Sequence, residues 1–193
     1  MRQVRLLRKM SIAAFKRGAV ASALILAWPA ICGPVVAQET GASRLVGPAL
    51  EGYVIGYEQT SADLSIREEV PEGESVEAWS RMVTTQRFAK SEQSALQFAE
   101  TVKGMVQQSC AQTSMSAPGE IVHQGYKAAS FSATCYSEPA RGGVETFFMM
   151  AVRAPDALLV KQVAFKRDIE REDMEFAVAV LRGTRVCTSE DCT

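Results

Sequence analysis

The stretch VETFFMMAVRAPDALLVKQVAFK, residues 144–166, decides the fold because it contains two strands and the turn that joins them. Side chains alternate along 144–153, as they do in a β-strand. One face of that strand carries Val144, Thr146, Phe148, Met150 and Val152. The sequence Ala154-Pro155-Asp156 is typical of a tight turn, and the apolar run 158–166 predicts the returning strand. We therefore expect an antiparallel sheet.

Similar alternation predicts the remaining strands, which are expected at 53–57, 64–70, 79–88, 121–127 and 129–136. The period changes after Ser91, where apolar residues from Ala95 to Val106 recur three and four apart. That spacing predicts an amphipathic helix with Ser91 as its N-cap. A second helix is predicted over 170–182, with Asp168 capping its start and Gly183 its end.

The order of these elements indicates an α+β fold. We predict one domain over residues 51–193, built on a mainly antiparallel sheet of about six to seven strands with two helices. One face of the sheet is expected to carry the helices, and the other to meet solvent or a second layer. No repeat or second domain is evident in the sequence.

The first 37 residues have the composition of an export signal. They contain six of the 21 Lys and Arg residues and none of the 22 Asp and Glu residues. An apolar run from Gly18 to Trp28 precedes Val35-Val36-Ala37, so cleavage is expected between Ala37 and Gln38. The alternative is a retained N-terminal anchor, because about 20 uncharged residues can span a bilayer. Residues 38–50 are expected to form a flexible lead-in.

Removal of the leader leaves 15 basic and 22 acidic residues, a formal charge of −7. An acidic chain of this kind is a poor match for nucleic acid, which requires a cationic surface. No further apolar run is long enough to cross a membrane. The remaining chain is therefore expected in the periplasm or outside the cell.

Four cysteines follow the leader, and an even number in an exported chain favours disulfides. Three pairings are possible, of which we favour Cys110–Cys135 and Cys187–Cys192, the second tethering the C-terminal tail. Neither interval has the Cys-x-x-Cys spacing of metal or redox sites. We identify no metal, cofactor or catalytic motif.

The most distinctive candidate surface follows the strand that begins near Trp79. Its members are Trp79, Arg81, Met82, Gln86 and Phe88. Trp79, Met82, Gln86 and Phe88 would line a groove for a ligand or partner, and Arg81 and the neighbouring Arg87 would reach out to an anion. The competing interpretation is core packing, because a tryptophan that opens an alternating strand is usually buried.

Three other charged features have alternative interpretations. Five glutamates lie close together in sequence: Glu68, Glu69, Glu72, Glu74 and Glu77. Two of them would act as general acid and general base if the protein were a hydrolase. The alternative is that they are solvated surface charges. His123 is the only histidine; it would need a suitable neighbour to act in a catalytic relay, and the alternative is a histidine on a strand face. A basic patch would meet an acidic partner or lipid headgroups, or form an ordinary charged surface. It comprises Lys161, Lys166, Arg167 and Arg171.

Three short motifs carry a family resemblance: Gly52-Tyr-Val-Ile-Gly-Tyr57, Val70-Pro-x-Gly-Glu74, and Trp79-x-x-Met82-x-Thr84-x-Gln86-x-Phe88. In these the chain resembles small exported proteins of Gram-negative bacteria that have no assigned function. The element order also resembles the Mog1/PsbP-type α/β sandwich. That second resemblance is topological; members of that group bind partners rather than catalyse reactions, so what it implies is partner binding.

We therefore expect a periplasmic or envelope protein that is a non-enzymatic binding or assembly module. Its partner would be an envelope protein or a small amphiphile. The alternatives are an envelope hydrolase that uses carboxylates of Glu68–Glu77, and a purely structural envelope component. The sequence does not indicate an oligomeric state.

Overall fold

A computed structural model describes residues 42–137 and 143–188 of the chain. The described elements are β1 Arg44–Val46, β2 Tyr53–Thr60, β3 Leu64–Pro71, β4 Arg81–Phe88, α1 Ala95–Ser109, β5 Gln112–Met115, β6 Gly119–His123, β7 Tyr126–Tyr136, β8 Val144–Arg153, β9 Leu158–Phe165, α2 Arg171–Gly183 and β10 Arg185–Cys187. The leader predicted over 1–37, with its cleavage site and the alternative anchor, lies outside the described residues. Neither described helix combines the length and apolar character that crossing a bilayer requires.

Eight strands form one antiparallel sheet with the order β2-β3-β4-β9-β8-β7-β5, and β6 also pairs with β7. The predicted hairpin of β8 and β9 lies at the centre of this sheet. Its turn closes where Ala154 N donates to Ala157 O at 3.0 Å. The fold class is therefore confirmed, and the sheet is slightly wider than predicted. The short strands β1 and β10 form a separate two-stranded sheet.

The two helices pack on opposite faces of the large sheet. Apolar residues of α1, such as Phe98 and Val102, pack with Phe147 and Met149 on one side. On the other side, Ala177 and Val180 of α2 pack with a different set of sheet residues. The expectation that one face carries both helices is therefore wrong, and α2 itself forms the second layer on the other face. This second layer explains why all eight residues of β9 are buried.

The ends of α1 differ from the prediction in one respect. The N-cap is Ser94 rather than Ser91, because only Ser94 has a glutamine three residues later. Ser94 Oγ accepts from Gln97 N at 3.1 Å, and Gln97 Oε1 accepts from Ser94 N at 2.9 Å. In the second helix Glu170 rather than Asp168 is the N-cap, and Thr184 rather than Gly183 is the C-cap.

Cysteine pairing agrees with the prediction where the structure describes it. Cys110, at the end of α1, is bonded to Cys135 on β7. Cys187 is also disulfide-bonded. Its predicted partner, Cys192, lies outside the described residues.

Candidate functional site

The candidate site is a groove between a short N-terminal segment and the face of the sheet that carries α2. We name this segment, residues 44–50, the strap. Its first three residues form β1, in which Leu45 pairs with Val186 of β10. Leu45 is buried against Met150 and Leu159. This described part of the predicted flexible lead-in is therefore paired and packed, because β10 supplies the partner strand.

An ion pair holds the residue before the strap against the sheet. Arg87 Nη2 lies 2.8 Å from Asp156 Oδ2, and Arg87 Nε donates to Ser43 O at 2.9 Å. Ser43 N in turn donates to Asp156 Oδ2 at 3.1 Å. Partial burial on its own would raise the pKa of Asp156, but the hydrogen bonds from Ser43 and Arg87 outweigh burial and leave it lowered.

Strand register places a polar row beneath the strap. Glu58 is paired with Arg67, Arg67 with Thr85, and Thr85 with Lys161. Because directly paired residues of a sheet point to the same side, these four side chains lie next to one another across β2, β3, β4 and β9. We name them the floor row.

The strap and the floor row enclose a cavity of about 640 Å³. This volume is within the range of ~300–1,000 Å³ that is usual for small-molecule sites. One wall is formed by strap residues, among them Val46, Ala49 and Leu50, and the other by strands β2–β4 and β9. The groove has a size suited to a small ligand.

Lys161 is the most unusual residue in the groove, because its side chain is only 4% exposed. Its Nζ donates to Thr85 Oγ1 at 2.7 Å. Among the described residues, the only carboxylate within ion-pair distance belongs to Glu69, whose Oε2 is 4.0 Å away. Burial lowers the pKa of Lys161, with Arg67 acting in the same direction and Glu69 opposing it. Its positive charge is thus buried and only partly compensated.

The strap comes close to this ammonium group at Gly47. A Cβ on Gly47 would lie 3.3 Å from Lys161 Nζ and 3.6 Å from Thr184 Oγ1. A glycine here allows the strap backbone to pass directly over the floor row. Any larger residue would press on the lysine that the groove encloses.

The charged residues that line the groove are predominantly basic. Arg44, Arg67, Arg87 and Lys161 face two acids, Glu58 and Glu69. Glu69 is shared, because Arg67 Nη2 lies 3.0 Å from its Oε1. This excess of positive charge contrasts with the formal charge of −7 over residues 38–193. The groove is therefore suited to an anionic ligand.

The surface predicted around Trp79 is divided between two faces of the sheet. Trp79 and Met82 are buried in the core with α1, and Phe88 packs against Phe98 with ring centroids 5.4 Å apart. Arg81 points to the opposite face, where its guanidinium lies 4.2 Å from the centre of the Phe176 ring. The core-packing interpretation therefore describes these apolar residues.

Gln86 is also buried on the α1 face, and it is 1% exposed. Neither its Oε1 nor its Nε2 has a hydrogen-bond partner among the residues that the structure describes. Thr84 and Gln162, which are directly paired, are buried nearby on the same face. This polar group adjoins the apolar core and lies on the opposite side of the sheet from the groove.

The five glutamates of 68–77 do not come together as a catalytic pair. Glu68 is fully buried on one face of β3, and Glu69 faces the groove on the other. Glu74 accepts from Ser80 N and Oγ at 2.6 Å each. Glu72 and Glu77 are exposed in the loop that follows β3.

The predicted basic patch is also dispersed. Lys161 lies in the groove, whereas Lys166 Nζ is 2.9 Å from Glu145 and also lies over the Trp79 ring. Arg167 pairs with Asp173 at 2.7 Å, and Arg171 pairs with Glu175 at 3.0 Å. His123 Nε2 lies 2.8 Å from Thr184 O, a contact between β6 and the end of α2.

Arg44, Arg67, Thr85 and Gly47 lie in no sequence motif that would mark them as members of a site. One signal was present in the sequence: Lys161 interrupts the apolar run LLVKQVAF, where both faces of the strand are buried. A lysine at such a position is expensive to bury without a purpose. Among residues 42–137 and 143–188, no cluster of His, Cys, Asp and Glu is suited to hold a metal ion.

No protein-family model matches the sequence, and no curated protein matches it. Solved structures do resemble the fold. Cyanobacterial PsbP from Synechocystis matches with a TM-score of 0.50 at 8% identity, over 80% of this chain and 98% of that one. The chain folds like cyanobacterial PsbP. The predicted PsbP-type topology is thereby confirmed, and at this identity the likeness extends to the fold alone.

Two further structures are less similar. LpqN of Mycobacterium tuberculosis, described as involved in cell envelope biogenesis, has a TM-score of 0.46 at 10% identity and covers 78% of this chain and 87% of its own. The Ran-binding protein Mog1p of Saccharomyces cerevisiae has a TM-score of 0.44 at 10% identity, over 76% and 96% of the two chains.

Proposed function

We propose that this chain is exported to the cell envelope, where it binds a small anionic molecule in the strap groove without altering it chemically. The leader composition of residues 1–37 supports export. The Cys110–Cys135 disulfide supports it too, because such bonds persist mainly outside the reducing cytoplasm.

The observation that carries the binding proposal is the environment of Lys161. A buried ammonium needs a counter-charge, and here a hydroxyl at 2.7 Å and a carboxylate at 4.0 Å are what the described residues provide. Glu69 is also paired with Arg67, so its carboxylate compensates the charge of Lys161 less. An anion bound in the adjoining cavity would supply the missing negative charge next to Lys161.

The groove favours a small molecule over a docked protein segment. The strap lies across the floor row, with the Gly47 backbone close to Lys161. A strand of another protein would have to displace the strap, which is paired to β10 and tied through Ser43 to Asp156. A small ligand can occupy the 640 Å³ cavity with the strap in place.

The arrangement of carboxylates favours binding over hydrolysis. General acid–base hydrolysis of a glycoside uses two carboxyl groups about 5–10 Å apart on either side of one bond. Glu68 and Glu69 instead face opposite sides of the sheet, and Glu74 is bonded to Ser80. A purely structural envelope component would have no use for a buried cation in a cavity, so we rank it below a binding protein.

Isothermal titration with acetate and inorganic phosphate tests the binding proposal. We expect binding to the mature chain that weakens with added NaCl, because charge pairing is screened. Lys161→Met should abolish it. Lys103→Met is the matched control, since Lys103 lies on α1 across the sheet and pairs with Glu100. Equal binding by both variants would overturn the proposal.

Cell fractionation tests the location. We expect the protein in the envelope fraction, with an N-terminus at Gln38 by mass spectrometry of the intact chain. Crosslinking in the same fraction identifies any partner protein. An uncut chain in the cytosol with free thiols would contradict export.

A further inference from the structure

The two walls of the strap groove differ in chemical character. The floor row is polar and contains the cations Arg67 and Lys161. The strap wall is apolar beyond Arg44, with exposed Ala49 and partly buried Val46 and Leu50 along it. A ligand that fills the groove therefore meets positive charge on one side and hydrocarbon on the other.

We propose that the ligand is an anionic amphiphile, with one carboxylate or phosphate head at Lys161 and an apolar chain along Val46–Leu50 of the strap. This inference rests on the proposed function, because it specifies the ligand of the same groove. It adds the position of the head and the presence of a chain.

The head is placed at Lys161 because the other cations of the groove are better compensated or more exposed. The Arg87 guanidinium is engaged by Ser43 O and by Asp156 at 2.9 and 2.8 Å. Arg67 is paired with Glu69 at 3.0 Å, and its side chain is 46% exposed. Lys161 is nearly fully buried, so a charge that meets it is screened least by water.

The acids of the groove restrict the head to a small charge. Glu58 and Glu69 lie on the same face as the cations, and Asp156 pairs with Arg87, which leaves a formal excess of one positive charge. A polyanion would bring several negative groups against these carboxylates and be repelled. One carboxylate or one phosphate matches the excess.

The apolar wall supplies the reason for a chain. Each methylene group buried along the strap should raise the affinity about fourfold, which corresponds to ~0.8 kcal/mol. An acid without a hydrocarbon chain leaves this apolar wall in contact with water. A hydrocarbon without an acidic head leaves the charge of Lys161 only partly compensated.

The test compares five probes on the mature chain by titration calorimetry: acetate, inorganic phosphate, octanoate, octyl phosphate and octan-1-ol. We expect octanoate or octyl phosphate to bind at least ~50-fold more tightly than its head alone, which corresponds to about three buried methylene groups. The difference in affinity between octanoate and octyl phosphate identifies whether the site prefers a carboxylate or a phosphate head. Octan-1-ol should bind at least ~10-fold more weakly than the better of them, as expected for one lost charge pair.

Two variants locate the binding. Lys161→Met should reduce affinity for the better amphiphile to that for octan-1-ol. Ala49→Glu places a carboxylate at an exposed position of the strap wall, so the fold is retained while the same ligand is repelled. Circular dichroism checks the fold of both variants, and Lys103→Met is again the control.

The outcomes separate the two proposals. If acetate or phosphate binds as tightly as its eight-carbon counterpart and Lys161→Met abolishes binding, the amphiphile is overturned and anion binding stands. If none of the charged probes binds, or if both variants bind like the wild type, both proposals are overturned. Octan-1-ol binding as tightly as octanoate would also overturn the role of the charged head.

Discussion

Arg87 of β4 and Asp156 of the β8–β9 turn form an ion pair at 2.8 Å that also holds the backbone of Ser43. Three distant parts of the chain meet at this point. Because Ser43 immediately precedes the strap, the pair fixes where the strap begins above the groove. The position of the strap thus depends on a contact that is separate from its strand pairing.

Removal of this carboxylate should loosen the strap. We expect Asp156→Asn to lower the free energy of unfolding by about 0.5–1 kcal/mol, a modest value because the side chain is partly exposed. Amide hydrogen exchange should accelerate over residues 43–50 and remain unchanged in α1. Asp63→Asn, which removes the partly buried carboxylate paired with the exposed Lys90, is the control. Uniform exchange rates across the variants would contradict the anchoring role.

The same contact should be sensitive to acid. The pKa of Asp156 is lowered in the folded state relative to its ordinary value of 3.8. The unfolded chain therefore binds this proton first as the pH falls, and the stabilisation is present above pH 3.8 and lost below it. As the pH falls below 3.8, exchange of the strap amides in wild type should approach that of Asp156→Asn measured at the same pH.

Lys161→Met should stabilise the protein near neutral pH, because it removes a buried charge that is only partly compensated. We expect a gain of ~1 kcal/mol in urea unfolding, and comparable replacements of buried ions are often neutral or stabilising. Lys103→Met should show no gain. A loss of stability in Lys161→Met would indicate that the lysine is well compensated within the protein.

The advantage of Lys161→Met should shrink as the pH rises. The pKa of Lys161 in the folded state lies below its ordinary value of 10.5. Between these two values the unfolded chain binds more protons, so wild-type stability increases with pH. Urea unfolding of both proteins from pH 8 to pH 10.5 measures this convergence. A constant difference would contradict it.

Asp173 should be the most important charged residue of α2. Its carboxylate is 1% exposed and lies 3.0 Å from Arg81 and 2.7 Å from Arg167. Hydrogen bonds from Arg167, then from Glu170 N and Arg81, outweigh burial and lower its pKa. We expect Asp173→Asn to cost about 2–3 kcal/mol, because it leaves a partly buried Arg81 without its partner.

Denaturation of Asp173→Asn should be compared with that of Glu175→Gln, which breaks the exposed pair with Arg171 on the same helix. That control should change stability by less than about 0.5 kcal/mol. The cost of Asp173→Asn should also diminish below pH 3.8, where protonation removes the wild-type advantage. Equal losses in both variants would show that burial of Asp173 is unimportant.

The Cys110–Cys135 disulfide should make a large contribution to stability. Its two cysteines are 25 residues apart in sequence. In the chain-entropy account, a bond across this interval lowers the entropy of the unfolded chain and so stabilises the folded state by about 3.5 kcal/mol. The double variant Cys110→Ser/Cys135→Ser avoids a mispaired thiol and leaves Cys187 intact. Urea unfolding that changes by less than about 1 kcal/mol would argue that the bond is not stabilising.

Much of the fold was predictable because the relevant signals are local. Alternation in 144–153 and the turn at Ala154-Pro155-Asp156 identified the central hairpin, and the spacing from Ala95 to Val106 identified α1. The strands β1, β5 and β10 were missed, since strands of three or four residues show too little alternation to recognise. The N-cap lies three residues later than predicted because Gln97 completes a capping box with Ser94.

The candidate site was much less predictable. The residue types of Trp79, Met82 and Gln86 suggest a ligand surface, but the structure buries them on the α1 face. The basic residues that follow Lys161 in sequence suggest that it belongs to a surface patch. Its burial becomes evident only when β4 and β8 are seen to flank β9 on both sides.

Periodicity was sufficient for the fold class and for both described helices, because it follows from preferences of neighbouring residues that any part of the chain expresses independently. Cysteine number left three pairings possible, and the structure shows that Cys110 is bonded to Cys135. The groove required tertiary structure, because Glu58, Arg67, Thr85 and Lys161 become neighbours only through strand register. Register and the path of the strap are settled by packing between distant segments, and no local pattern encodes them.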